Sequence, residues 1–210
     1  MQVVLDLVPE SKWKIKCPYT MIPEFIVVHN TANDASAKNE ISYMKNNDNE
    51  TSFHFAVDDV EVRQGIYVHR NAWHAGDGID GTGNRKGIAI EICYSKSGGE
   101  KFDKAEERAA EFIAGLLKKY HWEIDRVKKH QDFSGKYCPH RTLDLGWERF
   151  LKKVESYMTD ELETVNDIVW ELSARGIITN KELWLKKLNT DENSYWLARK
   201  CANYIKENMQ

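Results

Sequence analysis

The chain has 210 residues, of which 41% are hydrophobic and 30% charged, and its formal net charge is −3. That length holds one α/β domain with a real core plus a small appendage, and the composition excludes a disordered chain. Acids and bases are interspersed, so no basic stripe marks a nucleic-acid footprint, and the longest apolar runs are far too short to span a bilayer.

The opening stretch, MQVVLDLVPESKWK, has no charged segment leading into an apolar one. It therefore predicts no signal peptide and a protein kept in the cytoplasm of the cell that makes it. EFIVVHNT (24–31) is a short β-branched run that predicts a buried strand ending at His29. Ala37, Ile41 and Met44 predict an amphipathic helix over 35–46. SFHFAVDD (52–59) alternates, with Phe53, Phe55 and Val57 on one face and Ser52, His54 and Ala56 on the other.

RNAWHAGDGIDGTGNRKG (70–87) predicts a long glycine- and asparagine-rich loop, of a kind that is functional or mobile. GIAIEICY (87–94) is a strand with Ile88, Ile90 and Ile92 toward the core, which turns Glu91 the other way. Helix 103–120 is the clearest element, with Asp103 as N-cap, Glu106 three residues on, and a core face of Ala109, Phe112, Ile113, Leu116 and Leu117. A polar stretch, HQDFSGKYCPH (130–140), precedes a helix over about 145–158.

Strands alternating with helices indicate an α/β domain of residues 1–158. Residues 159–210 read as three short helices, 161–175, 181–188 and 193–208. Gly176 is placed as a helix-ending glycine, and Trp170, Trp184, Trp196 and Tyr204 are expected to form a small aromatic core. About fifty residues is marginal for independent folding, so docking or self-association is expected there. A helix-turn-helix reading lacks the basic recognition face it would need.

His29, His130 and Cys138 supply nitrogen and sulfur donors of the kind zinc favours, in the number a catalytic site uses. Spacing alone leaves the alternative open of a satisfied strand-end histidine and a buried thiol. Likewise Glu91 can be a buried carboxylate paired with a base, and Lys136 a solvated loop lysine. Cys17, Cys93 and Cys201 lack any framework spacing and read as free thiols.

VVHNT, SFHFAVDD, AWHAGDG, NRKGIAIEIC and HQDFSGKYCPH follow one another as in zinc N-acetylmuramoyl-L-alanine amidases of the amidase-2 type. The stretch 17–154 resembles that family, most of all the endolysins of phages or prophages from Gram-positive spore-formers. The resemblance implies the fold of the peptidoglycan recognition proteins, a mixed central sheet flanked by helices, with a small helical C-terminal module. It implies one Zn2+ per chain held by His29, His130 and Cys138, with Glu91 as catalytic carboxylate and Lys136 as catalytic lysine. Trp73, His74 and Asn84 are expected to line the groove for the substrate, His74 as an exposed residue. Phe53 stands where some members carry a tyrosine, which puts more of the proton transfer on Glu91.

The implied partner is bacterial peptidoglycan, with wall attachment, a secondary wall polymer or self-association expected of residues 159–210. Neither nucleic acid nor membrane insertion is expected, and a holin would give access to the wall. A non-catalytic peptidoglycan-binding module of the same fold is the rival reading, and the complete ligand set speaks for the enzyme.

Overall fold

The computed structural model describes residues 2–158 and 165–208, without the side chains of Glu192, Trp196, Lys206 and Glu207. The chain divides into two compact units, Met1–Met158 and Thr159–Gln210.

In the first unit, strand β1 (Val3–Leu5) leads to a short helix α1 (Trp13–Lys16), then β2 (Phe25–Asn30) and α2 (Ala37–Asn46). Ser36 caps α2 by accepting from the Asn39 N–H at 3.3 Å. Next come β3 (Phe55–Val57), β4 (Val62–Gln64), α3 (Thr82–Lys86), β5 (Gly87–Ile92) and α4 (Glu100–Tyr120). The unit closes with β6 (Val127–Lys129), α5 (Gln131–Ser134), α6 (His140–Asp144) and α7 (Trp147–Met158).

The six strands form one mixed sheet in the order β1-β4-β3-β5-β2-β6. β3, β5, β2 and β6 run parallel to one another, while β4 is antiparallel to β3. On one face Ile26, Val28, Ile88, Ile90 and Ile92 are fully buried in a core shared with Phe102, Phe112, Ile113 and Leu117 of α4. The opposite face carries smaller and polar side chains, and the site lies there. α7 is tied to α4 where Arg149 (2.7 Å) and Lys153 (3.3 Å) pair with the buried carboxylate of Glu106.

That pairing corrects the expected capping box. α4 begins one turn earlier, after Gly99 at φ 70°, so Asp103 sits inside the first turn and Glu106 faces α7 rather than the backbone. The glycine admits a conformation that a side chain resists. The alternation read in 52–59 is real, yet both of its faces are buried, because the sheet is covered on each side there. β1, β4 and β6 are three-residue strands too short for periodicity to reveal.

The second unit comprises α8 (Val165–Ala174), α9 (Lys181–Thr190) and α10 (Glu192–Asn208). The first turn expected for α8, residues 161–164, lies outside the described residues. Gly176 at φ 71° ends α8 with Ile177 N–H bonded to Leu172 O (2.9 Å) and Gly176 N–H to Ser173 O (3.0 Å), a Schellman pair. The core is aliphatic, with Ile168, Val169, Leu172, Ile178, Leu188, Ala198 and Ala202, and Trp184 packs at its edge. Trp170 and Tyr204 are instead about two-thirds exposed, against the expected aromatic core, and the side chain of Trp196 lies outside the described residues. Trp170 falls two residues after Ile168 and two before Leu172, so the helix turns it away from the face those two bury. No helix among the described residues is long and apolar enough to cross a membrane.

Candidate metal centre and groove

The site forms at the carboxyl ends of three neighbouring parallel strands, where open sheets place their ligands. His29 and Glu91 are register partners near the ends of β2 and β5. His130 directly follows β6, and its N–H reaches Val28 O at 3.3 Å. Backbone pairing alone thus sets Glu91, His29 and His130 side by side. Ala56 and Ala89, small residues on the same face, leave room above the sheet for imidazoles.

His29 Nδ1 lies 3.0 Å from His130 Nδ1 and 4.0 Å from Cys138 Sγ. Ligand atoms from all three buried residues fall within 4.8 Å of one another. A tetrahedral zinc with ordinary bond lengths separates two nitrogens by about 3.3 Å and a nitrogen from a sulfur by about 3.6 Å. The observed spacings bracket those values, so these residues fit the ion without rearrangement of the backbone.

Electrostatics favour the donor forms of the imidazoles. Burial holds His29 well below the ordinary histidine range, with His74, His130 and Lys136 adding to the effect. His130 is lowered by burial and then by Lys136. Neutral imidazoles keep the lone pair that a metal needs. Burial and the charge of Glu91 push the Cys138 thiol up to about 11, so a cation must be present for it to become the thiolate.

The second ring nitrogen of His29 decides the tautomer. Nε2 lies 3.0 Å from His74 Nδ1. With Nδ1 of His29 offered to a metal, Nε2 carries the proton and donates to His74 Nδ1, the outer support that metal-binding histidines generally have. His74 is accordingly buried, only 8% exposed, and stands behind His29 rather than at the surface as expected from its glycine-rich neighbours. His54 completes the stack: Nε2 donates to Arg70 O and Nδ1 accepts from the Ala89 N–H, both at 2.9 Å. Burial lowers its pKa to about 4, which makes it a neutral structural group.

Asn84 lines the cavity beside Trp73 and also fastens the loop behind it. Its Oδ1 accepts from the N–H groups of His74 and Ala75, both at 2.8 Å, and Nδ2 donates to Gly78 O at 3.0 Å. Asp77 caps α3 through Gly83 N–H at 2.7 Å. The long loop 70–87 is therefore fastened, and part of it is helix. Gly83 is required here, since an added Cβ would stand 2.5 Å from that of Ala75.

Two cavities flank the centre. One, of about 550 Å³, is lined by Trp73, His74, Asn84, His130 and Lys136. The other, of about 540 Å³, is lined by Glu91, Glu40, Asn33, Tyr43 and Phe53. Thr51 lines both. A larger cavity of about 590 Å³, between β1 and α4, contains none of the clustered histidines.

Glu91 is half-buried, but its Oε2 is wholly buried without a hydrogen-bond partner. Burial and the nearby Glu40 push its pKa up to about 8, against the opposing charge of Lys136. The base pairing that was the alternative for Glu91 is thus not formed by a direct bond. Lys136 itself is exposed, and its charge is felt by His29, His130, Cys138 and Glu91. Glu40, which accepts from Asn33 Nδ2 at 2.6 Å, was not legible in the sequence, where it reads as one more polar residue on a helix surface.

The model of the Amidase_2 family, described as N-acetylmuramoyl-L-alanine amidase, matches residues 19–141. The N-acetylmuramoyl-L-alanine amidase CwlA of Bacillus subtilis is 60% identical over 157 residues, 74% of this chain and 58% of that protein. XlyB of the same organism, an N-acetylmuramoyl-L-alanine amidase too, is 61% identical over 71% of this chain and 48% of its own length. The chain therefore spans about half the length of these relatives. Among solved structures, that of PlyL superposes with a TM-score of 0.73 at 53% identity, covering 75% of this chain and 99% of the chain in that structure.

Proposed function

The chain belongs to the N-acetylmuramoyl-L-alanine amidase family, and from that premise we propose that it is a zinc-dependent endolysin that hydrolyses the amide joining N-acetylmuramic acid to L-alanine in peptidoglycan. The observation that carries this reading is the convergence of His29, His130 and Cys138 beside a buried, unpaired carboxylate oxygen of Glu91 in an open groove.

An amide is a poor electrophile and water a poor nucleophile. His29, His130 and Cys138 would hold the zinc, which would supply Lewis acidity to polarise the carbonyl and to activate water near neutrality. Glu91 takes the proton from the attacking water on its carboxylate and passes it to the leaving L-alanine nitrogen. Burial makes this carboxylate a stronger base than a solvated one, which suits it to that shuttle. Lys136, exposed on the groove wall, neutralises the oxyanion that develops on the carbonyl oxygen. His74 keeps the His29 ring oriented through the 3.0 Å contact at Nε2. Trp73 supplies an apolar wall for the stem peptide.

Residues 159–210 serve wall attachment, through the large side chains that the helices leave outward, Trp170, Leu183, Leu197 and Tyr204. The enzyme reaches the wall from the cytoplasm after a holin opens the way. The test of the zinc assignment is metal analysis of purified protein: about one zinc per chain is expected, and Cys138→Ser should lose both the metal and wall lysis. Full lysis by Cys138→Ser would contradict it.

A further inference from the structure

Lys16 is fully buried, an unusual place for an ammonium. Its three N–H bonds go to Asn47 Oδ1 at 2.9 Å, Thr51 O at 3.2 Å and Asn49 O. Three donors meet three acceptors, none of them a carboxylate. The loop 47–51 therefore wraps a tethered cation, which no sequence pattern announces. Lys12 adds a bond from Nζ to Asn47 O at 3.1 Å.

The same short helix reaches the other wall of the groove. Ile15 O accepts from Trp73 Nε1 at 3.0 Å, and Lys16 O accepts from Ser52 Oγ at 2.6 Å. Ser52 Oγ in turn accepts from the Trp73 N–H at 2.9 Å. Thr51, at the end of the wrapped loop, lines both cavities, while Asn47 and Asn49 line the Glu91 side. Trp73 lines the Lys136 side.

We propose that Lys16 is a positioning residue for substrate: its buried ammonium holds the loop 47–51 as the fixed wall of the groove, without touching the reacting atoms. The proposal rests on the groove being the peptidoglycan site. Its acceptors are neutral, so the contact is strong only while the loop stays folded around it, and removal of the charge frees three acceptors at once. The wall would then be disordered in the free enzyme, and each binding event would have to order it, which weakens binding more than it slows chemistry.

The test is steady-state hydrolysis of a soluble N-acetylmuramoyl-L-alanyl peptide by the full chain, with Lys16→Met and Asn47→Ala as variants. Lys16→Met should raise KM about tenfold with kcat within about twofold and zinc content unchanged, and Asn47→Ala should raise KM by a smaller factor. Binding of the same peptide in a Glu91→Gln background should weaken in parallel. A Lys16→Met protein of lower thermal stability but unchanged KM and Kd has lost only a structural contact, and overturns the proposal. So does a fall in kcat at unchanged KM. If Lys16→Met does not fold, an unchanged KM for Asn47→Ala overturns it. A wild-type chain that releases no amine contradicts the amidase reading instead, and the Kd ratios still decide the role of Lys16.

Discussion

In residues 1–158 the side chains that stand out in the sequence are drawn inward. His29, His54, His74 and His130 are all buried, and each has a neighbour that fixes its ring. In residues 159–210 Trp170 and Tyr204 are turned outward, while plain Ile168, Val169 and Leu172 make the core. The difference lies in the backbone. Parallel strands bring the ends of distant segments to one line, so polar groups placed there are forced to meet. Three short helices gather only the residues on their shared faces, and a bulky residue off that face gains nothing by its size. A conspicuous residue thus signals chemistry in the first unit and an outward face in the second.

The sharpest break in that contrast comes from Glu91. Glu91→Gln should retain zinc and fold but lose about 10²- to 10⁴-fold in turnover, measured on a soluble muropeptide with parallel metal analysis. Loss of the metal together with activity would make Glu91 structural, like the residues of the helical unit.

Within that unit, Ile168→Ala should cost about 2–5 kcal/mol locally, whereas Trp170→Ala should cost no more than about 1 kcal/mol, the worth of its contact with Lys181. Urea denaturation gives both values. Co-sedimentation with purified walls should show the opposite ranking, with Trp170→Ala weakening attachment and Ile168→Ala sparing it wherever the unit stays folded. Equal binding by Trp170→Ala and wild type would remove the attachment role from this face.

A further break concerns pH and the first unit alone. In the metal-free protein Glu91 has its pKa raised from 4.5 to about 8, so the folded state holds a proton that the unfolded chain releases. Stability should therefore fall as pH rises through that window and level off above it. The urea midpoint of chelator-treated wild type should decline from about pH 5 to about pH 9 relative to Glu91→Gln, whose side chain does not titrate. Parallel curves would mean that the carboxyl is solvated.

Much of the first unit is legible in the chain itself. The β-branched run before His29 and the isoleucine alternation around Glu91 fix two central strands and point the glutamate off the core face. The period of Ala109, Phe112, Ile113 and Leu116 fixes α4. What stayed hidden depends on contacts between distant segments. Asp103 looked like a cap because the true start, Gly99, is set by its φ of 70° and has no side chain to show it. His74 looked exposed because Gly-Asp-Gly follows it, yet Asn84 folds that loop back beneath His29. Nothing in the sequence marks Lys16 for burial, because the loop 47–51 that closes around it is about thirty residues away.

Whether the cluster of His29, His130, Cys138 and Glu91 cuts the muramoyl amide is decided by mass spectrometry of fragments released from purified walls, with and without a zinc chelator. Stem peptides with free L-alanine amino termini are expected, and their release should stop when the metal is removed. New reducing ends, or the same peptides released at full rate with chelator present, would contradict that role.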